Sequence, residues 1–341
     1  MNRREVLSEL LEHQRAYHAE YRGGLSNHLP MALIALERMG APPERLRQYA
    51  RLYERRLEFA PDAGRILSRE QWREQLGRRA RYADFLATFR EEIGGTGWAA
   101  TLRGALPILL PGCAAAAFHP PIRLAYAIEA EEPEEMAIAL AYWAARFLPL
   151  GPAPAPEQQP LSEEPETLLR RLAEDPAFVH QADDDSLIDA EMKRATAMPE
   201  FAPVIGWLEI RPDTPRRLAR AALEVYAATG DFTALHMVTG MQAARLLLPH
   251  CEDRDAALRW VWQALAAAYL SIGKPPIPHR AALESARAPD WPPILEEARR
   301  AADEHVIKLV YSCWAEDQAY ADPLYRALAD SVVRSQNPEV R

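Results

Sequence analysis

Glycine is scarce in this chain, 15 of 341 residues, where an average protein carries about 7%. Cysteine is rarer still. Cys113, Cys251 and Cys313 stand far apart with no CxxC spacing, which excludes a disulfide framework and a zinc ribbon and leaves buried free thiols in a reducing cytosol. Positive charge is in deficit: 40 Lys and Arg against 49 Asp and Glu give a net charge of −9. No basic cluster stands clear of acidic residues, so a nucleic-acid partner is excluded. Long apolar runs are missing as well. The longest uncharged stretch, Gly104 to Ile122, holds four prolines and His119 and makes a poor membrane span. The first ten residues are charged and amphipathic, without an apolar signal core. These absences point to a cytoplasmic protein with no membrane partner.

Several catalytic signatures are also wanting. There is no P-loop, no G-x-S-x-G elbow and no H-E-x-x-H. Gly95-Thr96-Gly97-Trp98-Ala99-Ala100 fits only the loosest dinucleotide pattern. It follows a helical run rather than a strand, so it reads as a loop between helices. His18-Ala19-Glu20 and His250-Cys251-Glu252 have H-x-E spacing but no β scaffold, and are expected on the surface. Nothing offers a flavin or nicotinamide fingerprint.

Proline, in contrast, is abundant: 29 residues, well above the average of about 5%. Much proline with little glycine suggests helices with sharply stopped ends. Apolar spacing is helical almost throughout. Ser26-Asn27 with Pro30 begins one helix and Gly40 ends it. Ser68 and Gln71 form a capping box for a helix predicted to hold Trp72, Leu76, Tyr82, Phe85 and Phe89. Asp213-Thr214-Pro215 opens a helix that stops at Gly230, and Asp231 caps the next. Leu258, Val261, Trp262, Leu265 and Tyr269 keep one stripe, and a long pattern runs from Pro292 past Trp314. No alternating β-branched run is long enough for a convincing strand. The expectation is an all-α fold: a single large helical domain over residues 1–341, a multi-helix bundle. Within it 149–166, with six prolines between Pro149 and Glu166, forms a crossover loop. Asp183-Asp184-Asp185 reads as a loop before an N-cap.

Four histidines stand among apolar neighbours on predicted helices or helix ends: His28, His119, His236 and His305. His305 and Lys308 are three apart and share a helix face. Val306, Ile307, Leu309 and Val310 imply burial, where a charged lysine is costly unless paired or modified. An i, i+4 salt bridge to Glu304 is the simplest partner for Lys308, and hydrogen-bonded core histidines are the simplest account of the imidazoles. Facing helices also build metal sites from such inward side chains, and imidazole suits Fe, Zn, Cu and Ni alike. Trp207, Trp262, Tyr311 and Trp314 have the spacing of core residues rather than of an aromatic pocket.

Taken in order, Ser26-Asn27-His28, Phe118-His119, Asp231-Phe232-Thr233-x-x-His236-x-x-Thr239 and His305-Val306-x-Lys308-Leu309 resemble the questin oxidase-like proteins over residues ~10–330. The resemblance implies an oxidoreductase, in this case a non-heme Fe(II) oxygenase that uses O2 to oxidise or ring-cleave a polycyclic aromatic or quinone-type substrate. It implies a metal held by His28, His119, His236 and His305 together with Lys308, carboxylated by CO2, and it singles out His236 and Lys308 as catalytic. Two other readings stay open on the residues themselves: a metal-dependent hydrolase with another divalent metal, and a non-enzymatic helical binding protein with structural histidines.

Overall fold

A computed structural model describes residues 2–61, 63–155, 157–179, 186–278 and 289–336. In chain order the helices are α1 (Arg3–Gln14), α2 (Leu29–Arg38), α3 (Pro43–Tyr53), α4 (Arg69–Glu74), α5 (Tyr82–Thr96), α6 (Trp98–Leu109), α7 (His119–Ala130) and α8 (Pro133–Arg146). They continue with α9 (Pro165–Glu174), α10 (Ile188–Ala195), α11 (Thr214–Thr229), α12 (Phe232–Leu247), α13 (Arg254–Ser271), α14 (Trp291–Arg300), α15 (Glu304–Tyr320) and α16 (Pro323–Ser335). The sole sheet among the described residues is a two-residue hairpin, β1 (Glu20–Tyr21) with β2 (Leu25–Ser26), antiparallel with Glu20 opposite Ser26. The fold is all-α. No helix of the described residues is long and apolar enough to cross a membrane.

The helix boundaries follow local chemistry. Asp231 accepts from Thr233 N and Ala234 N to cap α12, and Asp303 accepts from His305 N to cap α15. Ser68 and Gln71 make both bonds of the capping box. Gly230 closes α11 in the left-handed conformation that glycine adopts without strain. Two boundaries differ from the sequence reading. The helix opened by Ser68 stops at Glu74, and Phe85 and Phe89 belong to α5, because Gly77 takes a positive φ between the two. The run from Pro292 is likewise two helices, interrupted at residues 301–303 so that Asp303 can cap the second. Ser26-Asn27 does not cap α2 in the usual way: His28 occupies the N-cap, and Asn27 Oδ1 accepts from Leu29 N at 3.0 Å.

Residues 147–155 and 157–164 are irregular between α8 and α9, and the predicted crossover loop 149–166 is cut short because Pro165 and Glu166 already form the first turn of α9. The Asp183–Asp185 patch lies outside the described residues. The Gly95–Ala100 stretch is a helix junction, with Gly97 (φ +81°) turning α5 into α6. Cys113 and Cys313 are buried and Cys251 half-buried, all as free thiols.

Four helices organise the centre. α2 packs on α7, α7 on α12, α12 on α15, and α15 back on α2. They form a closed ring, and each helix carries one of the four singled-out histidines at or near its N-terminal end: His28 at the cap of α2, His119 as the first residue of α7, His236 in the second turn of α12, His305 in the first turn of α15.

Candidate metal centre

The ring brings all four imidazoles together. His28 Nε2 lies 2.7 Å from His119 Nε2, and His119 Nε2 lies 3.2 Å from His236 Nε2. The His305 ring stands edge-on to His28 at 4.7 Å between centroids and 5.7 Å from that of His236. Lys308, one turn along α15 from His305, is completely buried, as is His236. Glu304 is buried too, and it can offer a carboxylate oxygen within 4.8 Å of the ligand nitrogens of both His28 and His305.

The backbone beneath His119 is strained. Ala116, Ala117 and Phe118, none of them glycine, have φ of +43°, +56° and +66°. Left-handed backbone at a residue with a Cβ costs on the order of 1 kcal/mol or more. The turn sets the Ala116 carbonyl against His119 Nδ1, which donates to it in a short hydrogen bond. His236 Nδ1 donates to Phe232 O at 2.8 Å, and His305 Nδ1 donates to Asp303 Oδ1 at 3.0 Å. His119 and His236 therefore hold their proton on Nδ1 and turn a bare Nε2 lone pair inward, and His305 is tied outward through Nδ1 in the same way, the arrangement that orients metal-bound imidazoles.

That arrangement is incomplete by itself. His119 Nε2 and His236 Nε2 are both acceptors, yet they face one another at 3.2 Å with no proton to share. Two lone pairs at that distance repel unless a cation stands between them. Ligands about 2.1 Å from one ion and at right angles lie about 3 Å apart, so the spacing suits a shared metal. Protonation does not fill the gap. Burial, and then the positive charge of Lys308 and the neighbouring imidazoles, hold His28, His119 and His236 well below the ordinary histidine range. The donor set fits a divalent transition metal: converging imidazoles with an anionic oxygen source at hand.

Lys308 Nζ has no hydrogen-bond partner, so the expected salt bridge to Glu304 is not formed. Glu304 instead receives Arg56 Nη1 at 3.3 Å. Burial lowers the Lys308 amine from its ordinary value to about 8, against the opposing pull of Glu304 and Asp303. A sizeable share of it is then neutral and nucleophilic at physiological pH.

A cavity of about 410 Å³ opens onto the cluster, within the size range of small-molecule sites. His28, His119 and His305 form its floor, and Phe232, Leu187 and Ala117 are among its walls. The Phe232 ring is half-exposed and sits edge-on to both His236 and His305, 4.8 and 4.7 Å away. At the rim Arg146 binds Glu20 at 2.6 Å and Asp189 at 2.5 Å, tying α8 to the hairpin and to α10.

The sequence reading missed Glu304 as a member of the site and Phe232 as its aromatic wall. For Glu304 the available signal was its place directly before His305. Trp207, Trp262 and Tyr311 are buried core residues and do not line this cavity, while Trp314 is half-buried. The expectation for His18 and Glu20 is corrected. Glu20 is buried because Arg146 and Arg79 neutralise it, and His18 Nδ1 accepts from Glu20 N at 2.9 Å. His250 is half-buried and Glu252 exposed.

The site and fold are those of an all-helical protein with a histidine-lined centre. The questin oxidase-like family profile matches residues 25–313, and the chain belongs to that family, which makes it an oxidoreductase in class. A search of curated proteins found no match.

Proposed function

We propose that this protein is a non-heme Fe(II)-dependent oxygenase that oxidises or ring-cleaves a polycyclic aromatic or quinone-type substrate with O2. The observation that carries the reading is the inward convergence of four imidazoles, three of which, those of His119, His236 and His305, are tied through Nδ1 to an outer acceptor. His28, His119, His236 and His305 would hold the ion, with Lys308 supplying the anionic ligand. The neutral Lys308 amine adds to CO2 and releases a proton, and the carbamate so formed is a hard oxygen donor that offsets the metal's charge. Four helix N-termini around the cluster favour such an anion. Bound iron would supply the redox centre for reaction with O2.

The chain's own residues do the rest. The cavity above the histidines excludes water from a flat apolar substrate, and Phe232 offers a ring face for stacking. Glu304, kept in place by Arg56 on the cavity wall, accepts the proton of a substrate phenol and so raises its electron density. His236 and Lys308 are the catalytic pair of this scheme, one neutral donor and one anionic.

The test is metal content of untagged protein purified without added metal, wild type beside His236→Ala, followed by oxygen uptake with a hydroxylated anthraquinone. About one iron per chain, lost in the variant together with oxygen uptake, is the expected result. Zinc in place of iron with no oxygen uptake would turn the assignment to a hydrolase. No bound metal in either protein would end the metal reading.

A further inference from the structure

Beyond the histidines the interior of the four-helix ring stays polar, which neither metal binding nor core packing requires. Lys308, Ser312 and Glu316 recur every four residues on α15 and share one face, all buried. Glu316 therefore lies about 12 Å along the helix axis from Lys308. Between them Ser312 Oγ donates to Gln242 Oε1 of α12 at 2.6 Å and faces the Tyr126 phenol of α7. At the far end Glu316 Oε1 accepts from Arg245 Nε at 2.7 Å, and Glu129 Oε1 accepts from the Tyr311 hydroxyl at 3.0 Å. Arg38, at the end of α2, donates to the Glu129 carbonyl near the surface.

Along this line five buried atoms have no hydrogen-bond partner: Lys308 Nζ, Gln242 Nε2, the Tyr126 hydroxyl, Glu316 Oε2 and Glu129 Oε2. One such orphan costs about 1–3 kcal/mol. Five in file, donors at the inner end, a hydroxyl between and carboxylate acceptors at the outer end, are what a row of buried waters satisfies.

We propose that the ring's interior is a proton conduit, in which water leads from the histidine–lysine centre past Ser312 and Gln242 to the Glu316–Glu129 carboxyl pair and out beside Arg245 and Arg38. The inference rests on the proposed oxygenase function in one respect: a substrate filling the cavity closes the other side of the centre to water. Protons taken up or released during turnover then need a second route. At the pair, inner water gives a proton to a carboxylate oxygen and the carboxyl gives one to outer water. One proton moves and no other bond changes. Burial raises Glu316 to about 7 in spite of Arg245, and it raises Glu129 as well. The groups facing the pair are Arg245 from α12, Arg38 from α2, Tyr311, Tyr320 and Cys313 from α15, and Tyr325 from α16. The charge of Glu129 adds to the effect of burial on Glu316, the last and smallest of its causes.

Two readouts test the conduit. A crystal structure that resolves solvent is expected to show ordered waters bonded to Gln242 Nε2, Glu316 Oε2 and Lys308 Nζ. A dry gap between Lys308 and Ser312 overturns the proposal whatever the enzyme's activity, so this readout is separate from the fate of the oxygenase reading. The second is the pH profile of oxygen uptake with a hydroxylated anthraquinone. Glu316→Gln and Gln242→Leu are expected to lower kcat about ten-fold or more at unchanged KM. In Glu316→Gln the limb near neutrality should vanish, and added imidazole buffer should restore part of the rate. An unaltered profile in both variants, with fold and metal intact, overturns the proposal.

Discussion

Helix α7 carries two buried polar residues one turn apart, and they meet different fates. Arg123 is 1% exposed and donates through Nε and Nη2 to Glu135 Oε2 of α8, at 3.1 and 2.8 Å. His119 is also buried, but its Nε2 meets only other imidazole nitrogens. The ion pair balances its charge within the protein, a plus against a minus, although Arg123 Nη1 and Glu135 Oε1 find no partner. The histidine centre is open: it gathers lone pairs of one sign and leaves the opposing charge to come from outside. A closed polar contact serves the fold, whereas an open one, held by a strained turn, implies a guest.

The comparison breaks first at His236. His236→Ala removes one lone pair from the centre and should reduce bound metal to background, with oxygen uptake lost, while circular dichroism stays that of a helical protein. Full metal retention would mean that the centre is as closed as the ion pair. Arg123→Met should do the reverse. It leaves Glu135 charged and buried and should cost about 3–5 kcal/mol in urea unfolding, with metal content per folded chain unchanged. Replacing Glu135 by Leu as well should recover most of that loss.

Lys308 sharpens the contrast, because metal-free protein carries it at a penalty. Its folded value of about 8 lies below its ordinary 10.5. The unfolded chain therefore binds the extra proton between these pH values, and stability falls as pH drops from about 10.5 to 8. Below pH 8 the penalty is complete, about 3 kcal/mol. Metal-free, CO2-free Lys308→Met should accordingly be more stable than wild type by about that amount at pH 7, and the gap should close above pH 10. The depressed histidines act at lower pH with the same sign. Metal-free protein should lose stability as pH falls below 6.5, by up to about 1.4 kcal/mol per unit for each of His28, His119 and His236. A flat stability profile from pH 7 to 5.5 would contradict their burial as neutral rings.

Much of the ring was legible in sequence because caps are local. Asp231 and Asp303 announce α12 and α15, and an apolar run around a histidine announces that it turns inward. The identity of Lys308's neighbour was not legible. Spacing alone offers Glu304 one turn away, but Arg56, which arrives from the end of α3, takes that carboxylate. Phe232 likewise reads as the first residue of a capped helix, and only the crossing of α12 with α15 sets it over two imidazoles. Nor could periodicity show that four N-termini converge. The breaks near Gly77 and at residues 301–303 were hidden for the opposite reason: apolar spacing continues through them, and tertiary packing decides where one helix stops.

The smallest expected effect separates the closed and open roles within one side chain. Asp303 Oδ1 accepts from His305 N at 2.8 Å, which caps α15, and from His305 Nδ1 at 3.0 Å, which orients the ring. Those same hydrogen bonds, the one from the imidazole foremost, hold its carboxyl below the usual carboxylate range. Asparagine caps a helix about as well as aspartate, and its carbonyl oxygen can still receive both bonds. Asp303→Asn therefore leaves the fold's share of the contact nearly intact and removes the negative charge that would make His305 a stronger ligand in the proposed metal centre. Thermal stability of metal-free protein should hardly change, whereas iron affinity should fall about 10- to 100-fold in a competition titration. Equal affinities would mean that Asp303 serves the helix alone and that His305 stands in the centre without being tuned for a metal.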